Sequence, residues 1–408
     1  MKHLVHRFAL SILLILTAIL IQESFAEENN SAIELLGKVR LAGDMSDKSE
    51  RSESLEDGTR ADLFGGLSAI DYMGSDNRFL LLSDRGAGDG AVSNPCRFHE
   101  ATLTVQDGSG VISFELQETR LLMSPTGGPL VGSLTAHSVD LAEGMARPSL
   151  GSKATNWTAF DPEGIRRLKD GSMVVTDEYG PRVVLFDEWG RLMNQFSLPE
   201  RFELQSPVNG DNIRGVFPNR GFEGIAVTPD KNWFVTVIQS PLIQDGEIKE
   251  AKCLGLNCRW IVFDANRHVK QELVYQLEDL MSGVSEILAI SESKFLVLER
   301  DSEVAEEAKL KRIYLVDISG ASDVSTVGAL PPLALPEEIV PVSKRLLIDL
   351  LDDRFGIGGK HAAEKPEGLS WGAALVDGRR TLWVCCDNDF DPNVQSEIYC
   401  FAVPNSSL

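Results

Sequence analysis

Residues 161–199, DPEGIRRLKDGSMVVTDEYGPRVVLFDEWGRLMNQFSLP, contain the pattern that recurs along this chain. Short alternating or apolar runs follow one another closely in this stretch, a pattern typical of β-strands. The separators Tyr179-Gly180-Pro181 and Glu188-Trp189-Gly190-Arg191 carry the glycine and proline that tight turns require. The stretch therefore predicts a four-stranded meander, with strands near 164–168, 172–177, 182–187 and 192–198.

The same module recurs along the chain, with starts near residues 67, 162, 222, 284 and 366. Repeated meanders of this kind predict a β-propeller, because radial packing of the blades protects the strand edges. The predicted fold class is therefore all-β, a β-propeller of four-stranded antiparallel blades, with six blades preferred and a range of five to seven. A β-sandwich or two small β domains is the alternative.

The sixth blade is expected from the two ends of the chain. Strands at 34–41 and 333–350 would join to close the ring, and the long interval 106–160 has room for a further module. The predicted domain organisation is a signal peptide at 1–26, an N-terminal strand and polar loop at 27–63, and the propeller domain at 64–404.

The N-terminus has the pattern of a secretory signal. Lys2 and Arg7 lie in a basic start, residues 8–21 form an apolar run, and Ser24-Phe25-Ala26 is a small-x-small cleavage site. The run has about 14 residues, short of the roughly 20 that span a bilayer. We expect an exported protein, periplasmic or extracellular, with no membrane attachment after cleavage.

Six cysteines in an exported chain are candidates for disulfides. Cys253 and Cys258 flank a four-residue loop and could close on each other. Cys385 and Cys386 are neighbours on a predicted strand, so they face opposite sides and only one can meet Cys400. The sequence does not choose among the pairings.

The charge balance narrows the class of partner. The chain carries 61 acidic against 39 basic residues, a formal net charge of -22. Nucleic acid and anionic membranes would be repelled, whereas cations would be attracted. We expect a monomer that binds a small anionic substrate with the help of bound cations.

Aligning the modules places oxygen-bearing side chains at two recurrent positions. In a propeller the first strand of each blade lines the central channel, so two tiers of these side chains would converge on the axis. Crowded carboxylates repel one another unless cations compensate, and Ca²⁺ takes six to eight oxygen ligands. The first-strand tier is Ser68, Glu163, Glu223, Ser285 and Glu367, and the tier at the ends of the second strands is Asp84, Glu178, Gln239, Glu299 and Asp387.

The carboxylates of the two tiers predict an axial calcium site. The alternative is that each one braces neighbouring blades through backbone N–H groups. Arg85 and Arg300 lie beside this set and are the candidates for holding phosphate oxygens, although each could instead pair with a carboxylate. The proposed calcium ligands are Asp84, Glu163, Glu178, Glu223, Glu299, Glu367 and Asp387.

Six short motifs make the chain similar to the phytase-like family, also called "esterase-like activity of phytase". Their order covers roughly residues 64–403. The resemblance implies a secreted or periplasmic β-propeller and a calcium-assisted phosphoester hydrolase. The motifs are Gly65-Gly66-Leu67-Ser68 with Leu82-Ser83-Asp84-Arg85-Gly86, Asp161-Pro162-Glu163-Gly164-Ile165 with Thr176-Asp177-Glu178-Tyr179-Gly180, Gly221-Phe222-Glu223-Gly224-Ile225-Ala226, Phe295-Leu296-Val297-Leu298-Glu299-Arg300-Asp301, Pro366-Glu367-Gly368-Leu369, and Cys386-Asp387-Asn388-Asp389-Phe390.

Other hydrolase and calcium motifs are excluded. Residues 66–70 lack the final glycine of a GxSxG elbow, and 387–391 lacks the glycine and the last glutamate of an EF-hand. The favoured hypothesis is an exported calcium-dependent hydrolase of phosphoesters. A lactonase or carboxylesterase that uses the same axial metal is a closely related hypothesis. The rival is a non-catalytic propeller that binds a ligand or partner and uses calcium structurally.

Overall fold

The structure is a computed structural model that describes residues 32–106, 108–133, 159–204, 212–250 and 252–408. Its regular elements are β-strands joined by loops and by 3₁₀ helices of three residues each. The predicted signal peptide and most of the interval after residue 133 lie outside the described residues. The 3₁₀ helices are Glu200–Phe202, Ile243–Asp245, Ala305–Glu307, Asp353–Phe355, Gly359–His361 and Asn405–Ser407.

The first two blades follow a short N-terminal strand, β1 (Glu34–Leu41). Each blade is a four-stranded antiparallel meander whose strands pair in chain order. The first blade contains β2 (Leu67–Tyr72), β3 (Arg78–Ser83), β4 (Arg97–Gln106) and β5 (Val111–Leu121). The second contains β6 (Pro162–Arg167), β7 (Met173–Asp177), β8 (Arg182–Phe186) and β9 (Leu192–Gln195).

The third and fourth blades repeat this pattern, and a small hairpin is inserted in the third. The third blade contains β10 (Phe222–Val227), β11 (Trp233–Ile238), the inserted β12 (Glu247–Lys249) and β13 (Lys252–Leu254), then β14 (Asn257–Asp264) and β15 (Val269–Gln276). The fourth contains β16 (Gly283–Ala289), β17 (Lys294–Arg300), β18 (Lys311–Asp317) and β19 (Ser343–Asp349).

The fifth blade joins the two ends of the chain. It contains β20 (Lys365–Trp371), β21 (Arg380–Asp387) and β22 (Ser396–Val403). The N-terminal β1 is its outer strand and pairs antiparallel with β22, from Glu34 opposite Ala402 to Leu41 opposite Ser396. The ring is thereby closed by strand pairing between the first and last parts of the described chain.

The described residues form a propeller of five blades, within the predicted range, so the preferred number of six is corrected. The first strands β2, β6, β10, β16 and β20 form a closed cycle in which each packs against both neighbours. The segments 34–41 and 333–350, which were expected to form a sixth blade together, belong to two different blades instead. Strand β1 completes the fifth blade by pairing with β22, and β19 completes the fourth by pairing with β18.

Apolar side chains from facing sheets fill the spaces between blades. The cluster between the second, third and fourth blades is rich in aromatic residues, and Trp260 stacks on Tyr275 with ring centroids 5.3 Å apart. Burial of large side chains of this kind is the main stabilising contribution to such a fold. In the described ranges no helical segment has the length and apolar character that crossing a bilayer would require.

All six cysteines are described, buried and free of disulfide bonds. Cys385 and Cys400 pack in one apolar cluster and Cys386 packs in another, on the opposite face of the sheet. The predicted opposite orientation of Cys385 and Cys386 is therefore confirmed, and no disulfide joins the cysteines that the sequence left as candidates.

Candidate functional site

A β-bulge in every first strand positions the first tier of side chains. In β6 the register shifts between Pro162 and Ile165, and in β10 it shifts between Phe222 and Ile225. A bulge adds a residue that has no partner on the neighbouring strand and re-aims its side chain. The other three shifts flank Ser68, Ser285 and Glu367. The positions aligned from sequence are thus the bulges of the five blades.

The glycine after each glutamate lets adjacent first strands approach closely. A Cβ atom on Gly164 would lie 2.8 Å from the Glu223 carbonyl oxygen in the next blade. A Cβ atom on Gly368 would lie 2.8 Å from the Ala69 Cα atom and 2.9 Å from the Ile70 nitrogen. The Glu-Gly pair therefore combines an axial carboxylate with a contact that only glycine permits.

Three groups of carboxylates converge near the starts of the first strands. Within each group, one oxygen from every member lies within 4.8 Å of the others. The groups are Glu163 with Glu223 and Glu367, Asp161 with Glu163 and Glu178, and Asp84 with Asp387 and Asp389. All of these side chains are buried except Asp389. Six of the seven predicted metal ligands thus lie in one of these three groups, and only Glu299 does not.

The first group draws one glutamate from each of three blades. The Gln239 amide donates a hydrogen bond to Glu223, and Arg300 donates one to Glu367. Glu163 differs, because its burial and its acidic neighbours raise its pKa well above the usual value, and all of the largest influences act in that direction. Glu163 therefore requires either a proton or an external cation.

The second group surrounds Arg85. Asp161 accepts hydrogen bonds from the Arg85 backbone N–H at 2.9 Å and from Nη1 at 2.7 Å. Glu178 lies farther away, with Oε2 3.6 Å from Arg85 Nη1, and burial raises its pKa to about 8. No described group donates a hydrogen bond to Glu178 Oε1, although that atom is buried.

Sequence reasoning missed Asp161, although one signal could have found it. The residue immediately before each aligned start is glycine in three modules, but it is Asp161 in the second blade and Lys365 in the fifth. Both polar side chains contact the carboxylate groups: Asp161 belongs to the second group and Lys365 contacts Asp387 of the third. Aligning one more residue would have shown both exceptions.

The third group already contacts a positively charged side chain, that of Lys365. Lys365 Nζ lies 3.3 Å from Asp387 Oδ2 and also donates to Asp389. Burial raises the pKa of Asp387 to about 6, despite this lysine, and raises the pKa of Asp84 well above its usual value. Asp84 accepts a hydrogen bond from the Gly86 N–H at 2.8 Å.

The predicted ligand Glu299 lies outside the three groups. It accepts hydrogen bonds from Tyr275 at 2.8 Å and Ser282 at 2.8 Å, and from the Glu278 backbone N–H at 2.6 Å. Lys344 completes its shell at 2.9 Å. Glu299 is therefore a brace of the kind that the sequence left as the alternative, and we do not retain it as a ligand.

The two predicted phosphate-holding arginines are both paired with carboxylates. Arg85 contacts Asp161 and Asp89, and Arg300 contacts Glu367. The alternative from sequence, an arginine paired with a nearby acid, is thus present in both cases. The Arg300 Nε atom is buried and has no hydrogen-bond partner among the described residues.

Arg166 closes the axial channel below the acidic groups and was not singled out from sequence. It is 4% exposed and lies 2.9 Å from Glu286. It follows Glu163 by three residues on β6, about 10 Å along the strand. Its guanidinium donates to the carbonyl oxygens of Ile70, Ile165, Ile287 and Leu369, which belong to four of the five first strands.

A buried Ser83–His99 contact does not supply a nucleophile and its base. Ser83 Oγ donates to the Gly65 carbonyl at 2.7 Å, so its proton points away from His99 Nε2 at 3.1 Å. Burial lowers the pKa of His99 to about 3, so the ring is neutral. The chemistry of the site therefore rests on its carboxylates and basic residues.

The molecule is a β-propeller whose axial end carries clustered, buried carboxylate oxygens beside two arginines. A set of hard oxygen donors with an unpaired Glu178 oxygen fits a hard divalent cation better than a soft metal.

The chain belongs to the phytase-like family, described as "Esterase-like activity of phytase", whose model matches residues 62–390. A curated relative from Arthroderma benhamiae, described as an uncharacterized secreted protein, is 25% identical over 247 residues. That match covers 48% of this chain and 47% of the relative, so the chain spans about half the length of the curated relative it matches.

Solved structures share the general architecture at low similarity. The exo-β-1,3-galactanase of Phanerochaete chrysosporium is 9% identical, with coverage of 87% of this chain and 64% of that chain and a TM-score of 0.43. The Dos1 propeller is 9% identical, with coverage of 85% and 69% and a TM-score of 0.31. We draw no functional argument from either structure.

Proposed function

We propose that the protein is an exported, calcium-dependent hydrolase of small anionic esters, with phosphoesters favoured. The observation that carries the proposal is the buried acidic site around Glu163. The basic side chains at this site are too few to pair with every carboxylate. The family description and the secreted relative support the reaction class and the export, respectively.

The proposed calcium ligands are Glu163, Glu178, Glu223 and Glu367. Carboxylate oxygens from three blades, at positions fixed by bulges, suit the flexible oxygen coordination of calcium. A cation bound there would lower the pKa of a water molecule and polarise the substrate oxygen. Because the ligands come from separate blades, the geometry depends on the closed ring.

Arg85 and Arg300 would bind the anionic group of the substrate. They form ion pairs with Asp161 and Glu367. A bound cation would take over part of that neutralisation, which would leave N–H groups available for substrate oxygens. Bidentate recognition by guanidinium groups favours a phosphoester over an uncharged ester.

The test is a metal-dependent substrate screen. Purified protein would be treated with chelator, then assayed with a phosphomonoester, a lactone and an acyl ester, with and without added calcium. We expect phosphoester turnover that chelator abolishes and that falls at least 100-fold in Glu223→Gln, while the exposed Glu292→Gln variant keeps wild-type activity. Turnover that survives chelation would contradict the proposal.

The rival function is a propeller that binds a partner without catalysis. Its supporting observation is that no nucleophile–base pair occurs among the described residues of the site. It predicts that Glu223→Gln lowers thermal stability and that no member of the substrate panel is turned over. The same experiment therefore separates the two functions.

A further inference from the structure

We infer that the axial site holds two divalent cations bridged by Glu163, and that the second is recruited together with a dianionic phosphoryl group. The inference rests on the proposed cation site and adds the number of cations, their ligands and the substrate class. Its starting point is that two of the three carboxylate groups share one member, Glu163.

One cation position lies between Asp161, Glu163 and Glu178. Glu178 is 3% exposed, yet its Oε1 atom has no hydrogen-bond partner among the described residues. A buried carboxylate that is ionised and has an oxygen without a donor is costly unless a cation contacts it. Glu178 and Glu163 belong to one group within 4.8 Å, so the unpartnered side chain lies at a cluster that offers two further ligands.

The other position lies between Glu163, Glu223 and Glu367, from β6, β10 and β20. The Gln239 amide donates a hydrogen bond to Oε1 of Glu223, and Arg300 donates one to Oε1 of Glu367. In the described part of the chain no group donates a hydrogen bond to the Oε2 atom of either glutamate. Each side chain therefore keeps one oxygen for a cation.

The third carboxylate group, Asp84 with Asp387 and Asp389, is not one of the two proposed cation positions. The Lys365 ammonium contacts both Asp387 and Asp389, so this acidic group already has its positive charge. Asp387 thus provides a matched control inside the same end of the channel.

The charges indicate how the two positions would fill. With all five carboxylates of the two sharing groups ionised, Arg85, Arg300 and the nearby Arg220 supply three positive charges, which leaves two negative charges. Asp89, which also contacts Arg85, is exposed to solvent and is not counted. One divalent cation neutralises the site. A second leaves an excess of two positive charges, which a phosphomonoester dianion would balance. Two cations that share a carboxylate also match the clamp used in phosphoryl transfer.

The test counts bound calcium by isothermal titration of chelator-treated protein, with and without inorganic phosphate kept below calcium phosphate precipitation. We expect one tight and one weak equivalent, with the weak site tightened at least tenfold by phosphate. Glu178→Gln and Glu367→Gln should each lose one equivalent, while Asp387→Asn keeps both. Thermal unfolding would show that each variant is folded.

The outcomes separate this inference from the proposed function. A single equivalent in the wild-type protein, or loss of an equivalent in Asp387→Asn but not in Glu178→Gln, would overturn the two-cation site. Two equivalents with no turnover of any ester would leave the two-cation site standing and would contradict the hydrolase. Ester turnover by a protein that binds only one equivalent of calcium would support the hydrolase and would contradict the two-cation site.

Discussion

Buried carboxylates in this protein are of two kinds, according to whether a basic side chain contacts them. Asp177 accepts a hydrogen bond from Arg182 at 2.5 Å, and Glu299 contacts Lys344. Glu163 has acidic neighbours only among the largest influences on its pKa. Because an uncompensated buried charge is costly, the second kind requires a proton or a cation. This difference separates structural acids such as Asp177 and Glu299 from Glu163, whereas the candidate ligand Glu367 is contacted by Arg300 through one of its two oxygens only.

Replacing the structural acid Glu299 should destabilise the fold and leave cation binding intact. Glu299→Gln keeps the size of the side chain but leaves Lys344 without its counter-charge and alters four contacts. We expect a loss of about 2–4 kcal/mol in the free energy of unfolding, measured with denaturant. Calcium stoichiometry should be unchanged. A stable variant that binds less calcium would restore Glu299 as a ligand.

The raised carboxyl pKa values predict how stability depends on pH in metal-free protein. The pKa of Glu178 rises to about 8 and that of Glu286 to about 7, from 4.5. Above the unfolded pKa the folded state therefore holds more protons than the unfolded chain, so stability falls as pH rises from about 5 to 8. We expect the melting temperature to fall over this range in chelator.

Calcium should reduce this fall, because a cation compensates the Glu178 carboxylate. The Glu178→Gln variant is the control, since its unfolding in chelator should depend less on pH than that of the wild type. A melting temperature that rises with pH in chelator, measured by circular dichroism, would contradict the pKa argument.

At the scale of the strand, the Glu-Gly pair connects the acidic site to blade packing. A Cβ atom on Gly224 would collide with Glu286 Oε1 and lie 2.5 Å from the Ile287 nitrogen. Gly224→Ala should therefore push β10 and β16 apart, cost about 1–3 kcal/mol and weaken calcium binding through Glu223. Gly320→Ala is the matched control, because nothing lies within 4 Å of its Cβ position. Equal stability of the two variants would show that the close approach is unimportant.

The sequence predicted these elements better than it predicted the contacts between them. Alternation and turn residues located the meanders, and their alignment found the bulge positions, because both properties are local and repeat once per blade. Glu299 aligned with residues of the three carboxylate groups, but its environment depends on Lys344 and Tyr275, which are distant in sequence or lie on other strands. Asp161 occurs in one blade only, so repetition could not reveal it.

At the scale of the whole molecule, the blade number depends on which edges the chain ends complete. Strand β1 pairs with β22 and also meets β5 through Lys38 opposite Val111. Both β1 and β19 were visible in the sequence as strands, but their alternation is equally compatible with one shared blade or two separate ones. Only the closed cycle of first strands decides for five among the described residues.

The same closed cycle makes Arg166 a contact shared by most of the ring. Its guanidinium donates to carbonyls on β2, β6, β16 and β20 and faces Glu286. Arg166→Met should therefore cost about 3–5 kcal/mol, because it leaves Glu286 buried without a counter-charge and removes the donors of several carbonyls.

A double-mutant cycle tests whether that cost comes from the ion pair or from the ring of carbonyls. If the pair dominates, Arg166→Met with Glu286→Gln should recover about 2–3 kcal/mol relative to the sum of the single variants, measured by denaturant unfolding. If the carbonyl ring dominates, the two costs should be additive. We expect partial recovery, because four carbonyls lose donors whatever residue replaces Glu286. Full recovery would show that Arg166 pairs one charge and does not hold the ring.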